Sequence, residues 1–186
     1  LYAPYINCTA CPLGKLGRTN VVFGDGNPDA KLMFIGEGPG QDEDRLGRPF
    51  VGRSGKLLDK TLELAGIARK EVFISNVVKC RPPNNRKPTE TEAYTCTNLL
   101  LFNQIKIIQP KVICTLGASA LQGLINNYEI KISQLRGKPI FAHNIPHVVI
   151  MPTYHPAYIL RNPKELTSLY NDIEQALLIC KKLQKA

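Results

Sequence analysis

The chain lacks any apolar run near the roughly 20 residues that a membrane-spanning helix requires, and no charged start, apolar core and cleavage site mark a secretory leader. Membrane contact is not expected, and the expected location is the cytoplasm, as prokaryotic cytosol or nucleoid. Internal repeats and low-complexity segments are also missing, which excludes solenoids and disordered arrays. Acidic residues are few: 15 Asp and Glu face 24 Lys and Arg, for a net charge of +9. That excess favours polyanionic partners, nucleic acid first among them. At 186 residues with 44% hydrophobic content the chain can bury one core and is short for two. A single domain over residues 1–186 is expected, acting as a monomer.

What is present centres on Lys31 to Asp44, KLMFIGEGPGQDED. Leu32 to Ile35 is an apolar run of strand length, and it ends in Gly36, Glu37, Gly38, Pro39 and Gly40. Such a turn brings backbone close to a ligand at the C-terminal edge of a sheet, where open α/β folds bind. The glycine spacing does not fit the dinucleotide fingerprint, and the Gly-Lys-Ser/Thr ending of a phosphate loop is missing.

Further strands are expected at Val72–Val78, Lys111–Leu116 and His147–Met151, each apolar and β-branched. Between them, Ser54 is the expected N-cap of a helix to about Ala65. Thr89 with Glu92 fits a capping box for a helix to about Gln109, ahead of Pro110. A short helix follows Gly117, Ser133–Asn144 is expected to be a hairpin or loop, and a last amphipathic helix runs from about Pro163 to Leu183. Alternating strands and helices with short links predict a mainly parallel sheet covered on both faces.

Cysteine supplies the next signal. Cys8 and Cys11 stand as C-x2-C in an N-terminal segment of about residues 1–20 with little periodicity, and 15 residues separate Cys80 from Cys96. In a reducing compartment, four such thiols point to metal ligation rather than disulfides. Zinc and an iron–sulfur cluster both remain open on spacing alone. Cys114 and Cys180, within a strand and a helix, are expected in the core.

Taken in order, GEGPG (Gly36–Gly40), GRPFVG (Gly47–Gly52), SNVVKCRPP (Ser75–Pro83), HPAY (His155–Tyr158) and the four cysteines resemble the family 4, iron–sulfur uracil-DNA glycosylases. The resemblance runs from Cys8 to Arg161. It implies a three-layer α/β/α sandwich around a four-stranded, mainly parallel sheet, and a repair enzyme that flips uracil out of single- or double-stranded DNA and hydrolyses its N-glycosidic bond. It also implies a structural [4Fe–4S] cluster on Cys8, Cys11, Cys80 and Cys96, with zinc as the alternative.

The implied site follows residue by residue. Gly36, Glu37 and Gly38 line the uracil pocket, and Phe50 stacks on the flipped base. Asn76 accepts from uracil N3–H and donates to O4; cytosine reverses both groups and is rejected by about 10⁴-fold. His155 donates to O2 and stabilises the departing uracil anion. Glu37 positions water, with Glu43 as competitor, because Gly38 stands where the family 1 enzymes carry Asp. The side chain of Glu37 or Glu43 also serves to block the thymine methyl.

Tyr158, Leu160 and Arg161 offer an apolar wedge beside a cation for the DNA, while Ile159 and Leu160 serve equally as the first core positions of the last helix. Arg81, Arg86 and Lys87 are expected at phosphates. No lysine stands out as a Schiff-base nucleophile, so hydrolysis without strand cleavage is expected. A covalent uracil-DNA binder of this fold would carry a histidine in the loop after Cys80, where this chain has Asn84, Asn85, Arg86 and Lys87. A non-catalytic nucleic-acid-binding module with a structural metal centre is the remaining alternative.

Overall fold

A computed structural model describes residues 2–185 of the chain. Two short 3-10 turns, Ala3–Tyr5 and Pro12–Lys15, carry the N-terminal segment to the sheet. Strand β1 (Asp25–Gly26) precedes β2 (Leu32–Gly36), whose five residues are all buried. After helices α1 (Gln41–Leu46) and α2 (Arg53–Leu64) comes β3 (Phe73–Asn76). Next, α3 (Glu90–Cys96) runs through a π-helical turn (Thr97–Leu101) into α4 (Phe102–Ile108). The chain continues with β4 (Val112–Leu116), α5 (Ala118–Ile125), α6 (Ile132–Leu135), β5 (Val149–Thr153), α7 (Pro156–Arg161) and α8 (Leu166–Lys185).

The strand order is β1-β3-β2-β4-β5. Four strands are parallel, as expected, and a fifth corrects the count: β1 adds two residues antiparallel to β3 at the edge. Gly26 at φ +125° permits this pairing, because without a side chain its backbone lies close against Val72 and Phe73. Strands β2 and β4 are adjacent although β3 lies between them in sequence, so the chain reverses direction across the sheet there. Ligands of open α/β sheets bind at such a switch point.

Strands apolar on both sides require a layer on each face. One face carries α3, α4 and α5, with Leu100, Leu101, Ile105, Leu121 and Leu124 in its core. The other carries α2, α7 and α8, with Leu58, Leu62, Ile159, Leu169 and Ile173. Cys114 and Cys180 are buried in this second core. No helix among the described residues is long and apolar enough to cross a membrane.

Local signals are mostly obeyed. The Thr89–Glu92 capping box forms, with Glu92 N–H donating to Thr89 Oγ1 at 3.2 Å and Thr89 N–H to Glu92 Oε2 at 2.8 Å. Helix α2 instead begins one residue before Ser54, with Gly52 at its cap. The expected last helix is α8, entered through a 3-10 turn at Pro163–Glu165, and Ile159 and Leu160 belong to the separate α7 rather than to its start.

Candidate active site

The C-terminal ends of β2, β3 and β5 and the turn after β4 open into a cleft of about 690 Å³, within the usual range for small-molecule sites. Its walls include Glu37, Gly38, Glu43, Phe50, Asn76, Gly117, Ser119, His155, Tyr158 and Arg161. Residues far apart in sequence are thus gathered by the strand ends together with the loop before α2 and the starts of α1, α5 and α7.

Gly36 shows how closely the walls meet. A Cβ there would overlap both Asn76 Oδ1 and the Phe50 ring, so only glycine leaves the recess between them empty. Asn76 is almost fully buried, at 1% exposure, and its Oδ1 has no hydrogen-bond partner among the described residues. A buried amide oxygen without a partner is costly unless a ligand supplies the donor. Across the recess, the Phe50 and His155 rings lie 5.7 Å apart between centroids, tilted by 32°.

His155 caps α7. Its Nδ1 accepts the Ala157 N–H at 3.0 Å, which places the proton of the neutral ring on Nε2. Burial pushes its pKa down to about 4, with Arg161 adding to the fall and Glu43 opposing it. At neutral pH this side chain is an uncharged N–H donor.

The two candidate carboxylates differ sharply. Glu43 is engaged with backbone: Oε1 accepts from Val51 N–H at 2.9 Å and Gly52 N–H at 2.8 Å, and Oε2 accepts from Gly40 N–H at 3.1 Å. It ties the glycine turn to the Phe50 loop. Glu37 lines the cleft, and no hydrogen bond engages its carboxylate among the described residues. Sequence reasoning ranked these two without knowing the geometry; the capping-box position of Glu43, three residues after Gly40, was the available sign of its backbone role.

The cationic loop after Cys80 is largely committed to itself. Arg86 forms two 2.8 Å bonds to the buried Glu92 carboxylate, although it also reaches the cleft wall. Arg81 donates to Asn85 Oδ1 at 2.7 Å and Lys87 to Gln122 Oε1 at 2.9 Å. Neither Arg81 nor Lys87 lines the cleft. Of the wedge candidates, Tyr158 and Arg161 stand at its rim, and Leu160 is exposed on α7 while Ile159 turns into the core.

Cys8, Cys11, Cys80 and Cys96 line one small cavity with Lys79, Leu99 and Leu100. All four thiols are free. Burial pushes Cys80 up to about 12 and Cys96 up to about 11. No three His, Cys, Asp or Glu side chains among the described residues gather tightly enough for a single metal ion.

Sequence reasoning did not single out Lys79 or Arg69. Lys79 is fully buried behind Asn76, and Arg69 grips the Phe50 loop from outside the cleft.

The model of the uracil DNA glycosylase superfamily matches residues 23–177. A type-4 uracil-DNA glycosylase of Thermotoga maritima is 51% identical over 94% of this chain and 90% of its own length. Relatives of the same name from Sulfurisphaera tokodaii and Archaeoglobus fulgidus are 44% and 40% identical, covering 91% and 96% of this chain and 79% and 91% of theirs.

Proposed function

This chain belongs to the uracil DNA glycosylase superfamily, and on that footing we propose that it is a DNA-repair glycosylase that releases uracil from DNA by hydrolysing the N-glycosidic bond. The unpartnered, buried Asn76 Oδ1 in the recess beside Phe50 and His155 carries this reading. Uracil offers N3–H to that oxygen, and its flat ring suits the Phe50 face. Cytosine has an acceptor at N3 and would leave the amide oxygen unpaired, a mismatch worth about 10⁴-fold in discrimination.

The chemistry follows from charge. As the C1′–N1 bond breaks, its electron pair stays on the base and the sugar becomes oxocarbenium-like. Neutral His155, its proton held on Nε2 by the Ala157 contact, donates to uracil O2 and stabilises the growing negative charge. A neutral donor loses no proton at this stage, and the base leaves as an anion. Glu37, with its carboxylate free, orients the water whose oxygen bonds to C1′ and stabilises the cationic sugar. One water proton stays on the new C1′ hydroxyl and the other passes by way of Glu37 to solvent, from which the uracil anion takes up a proton, so the products are free uracil and an abasic site. Glu43 acts as a positioning residue, holding the glycine turn against the Phe50 loop.

The DNA side rests on charge and shape. Arg161 and Tyr158 at the rim, with Arg53 and Ser119 across the cleft, suit the backbone on either side of a flipped nucleotide. The net charge of +9 supports association with DNA.

The four-cysteine cavity fits a [4Fe–4S] cluster held by Cys8, Cys11, Cys80 and Cys96. The four thiols line one cavity, a donor set that suits a cluster binding each thiolate through a different iron. When bound, the cluster would cross-link the N-terminal segment, the loop after β3 and the end of α3.

Free uracil released from a uracil-containing oligonucleotide tests the whole reading. Release by the wild-type chain that collapses in both Asn76→Ala and His155→Ala is expected. Tight binding of the folded wild-type chain to the same oligonucleotide without release would replace the glycosylase with a binding module.

A further inference from the structure

Lys79 lies immediately before Cys80 at the end of the buried run that follows β3, and its side chain is wholly excluded from solvent. Its three N–H bonds have three acceptors: Ser75 Oγ at 2.6 Å, the Asn76 carbonyl at 2.6 Å and Gln104 Oε1 at 2.7 Å. That saturates an ammonium group. Gln104, on α4, is fixed in turn by donating from Nε2 to the Phe23 carbonyl at 2.7 Å, and Ser75 Oγ lies 3.2 Å from the same oxygen.

The main chain of Lys79 is equally committed. Its carbonyl accepts from Val22 N–H at 2.7 Å, and the residue lines the cysteine cavity. One residue therefore touches both the cysteine cavity and, through its amine, the peptide of Asn76.

Burial works against the charged form of this amine, and an apolar side chain of similar length would fill the space at lower cost. What the amine supplies is direction. The Asn76 carbonyl is bonded at the last residue of β3, where the next peptide N–H, that of Val77, bonds to the Gly36 carbonyl. The peptide that orients the Asn76 amide is thus gripped from behind on both sides.

We infer that Lys79 is a positioning residue for base recognition, its buried amine fixing the Asn76 peptide so that the Asn76 amide oxygen points into the recess. This rests on the uracil-reading role of Asn76. A misplacement of about 1 Å at such a residue costs on the order of 100-fold in rate.

The test is single-turnover and steady-state release of free uracil by the full-length chain, purified with its native metal content. The series is wild type, Asn76→Ala, Lys79→Met, Gln104→Glu and Gln104→Met. Leu62→Ala, in the core of the opposite face, is the stability control. Both Gln104 variants lose the donor to Phe23, but only Gln104→Met loses the Oε1 acceptor shared by Lys79 Nζ and Ser75 Oγ, so their difference reports the network that holds the amine.

The expected result is a kcat lowered about 100-fold in Lys79→Met with KM within about twofold, iron content and visible absorption unchanged, and Gln104→Met falling well below Gln104→Glu. A folded Lys79→Met with wild-type kcat would overturn the inference. So would a loss no larger than in Leu62→Ala at equal loss of melting temperature, equal rates in the two Gln104 variants, or a Lys79→Met loss that tracks missing iron. If Lys79→Met fails to fold, the Gln104 pair decides alone. An unaffected Asn76→Ala would instead remove the base-reading premise.

Discussion

Arg69 holds Phe50 by its main chain. The guanidinium donates from Nη1 to the Phe50 carbonyl at 3.0 Å and from Nη2 to the Pro49 carbonyl at 2.6 Å, and Asp59 braces it at 2.7 Å. Phe50 itself sits at φ +51°, a left-handed conformation that costs a non-glycine residue about 1–2 kcal/mol. Gly55 lets the loop close, because a Cβ there would overlap the Phe50 carbonyl. The stacking ring is thus delivered by a strained backbone under an ionic clamp. Arg69→Ala is expected to lower kcat/KM for uracil release by about 10- to 100-fold while leaving the chain folded. Asp59→Ala, which removes only the brace, should do less. Steady-state kinetics with circular dichroism checks both.

His155 sets the acid limb of the pH profile. With burial holding it at about 4, it is neutral through the physiological range, and its titration should leave kcat flat from about pH 6 upward. The rate should fall as pH approaches 4, where the ring gains a second proton and displaces the Ala157 N–H contact. An unfolded histidine titrates near 6.5, so the unfolded chain binds the extra proton first. This group's contribution to stability is therefore fully present above about 6.5 and is lost as pH falls towards 4. Urea unfolding of wild type and His155→Gln across pH 4–7 should show that slope only in the wild type. His155→Ala is expected to lose about 10²- to 10³-fold in kcat.

Asn76→Asp replaces the amide donor with a second acceptor. Uracil O4 would then face a carboxylate, and uracil release should fall by at least about 100-fold. An assay that follows uracil and cytosine release side by side reads the specificity directly. An unchanged preference at an unchanged rate would show that Asn76 does not read the base.

Removing Cys96 by Cys96→Ala should abolish bound iron and the visible absorption, and should lower the melting temperature. Iron analysis of the wild type should return about four irons per chain for a cubane cluster, against one zinc for a mononuclear site. Uracil release by the variant measured below its own melting temperature separates a structural role from a catalytic one. The structural role predicts that activity survives wherever the fold does.

Much of this site is legible in the sequence because strand ends are. Asn76 closes an apolar run, His155 follows another, and Phe50 stands alone among arginines and glycines, so each is conspicuous where a sheet edge must be. The four cysteines are legible for a similar reason, being reactive side chains at recurrent spacings. Glu43, Arg69 and Lys79 are harder to read. Beside nearer contacts to Gly40 and to Ser75 and Asn76, Glu43 reaches residues 8 to 9 away and Lys79 one 25 away, while Arg69 reaches residues 19 to 20 away, and at those longer separations no periodicity carries information. A lysine at the end of the otherwise apolar Val77-Val78 run was the only local hint. The cations expected at phosphates show the converse: charge density in residues 81–87 is visible, but the bidentate bond from Arg86 to Glu92 is not. The two-residue β1 is too short for any pattern.

The π-helical turn at Thr97–Leu101 has one more consequence, which concerns phase. It lies between Cys96 and Gln104, and a π turn carries one residue more than an α turn. Each residue advances a regular helix by about 100°. Winding the same five residues as regular α-helix would rotate everything after them by about that angle relative to Cys96. Gln104 would swing away from Lys79 while the cysteines before it stayed in place. The wide turn therefore acts as a phase-setting shim, the part that lets one helix serve a thiol at one end and a base-reading strand at the other.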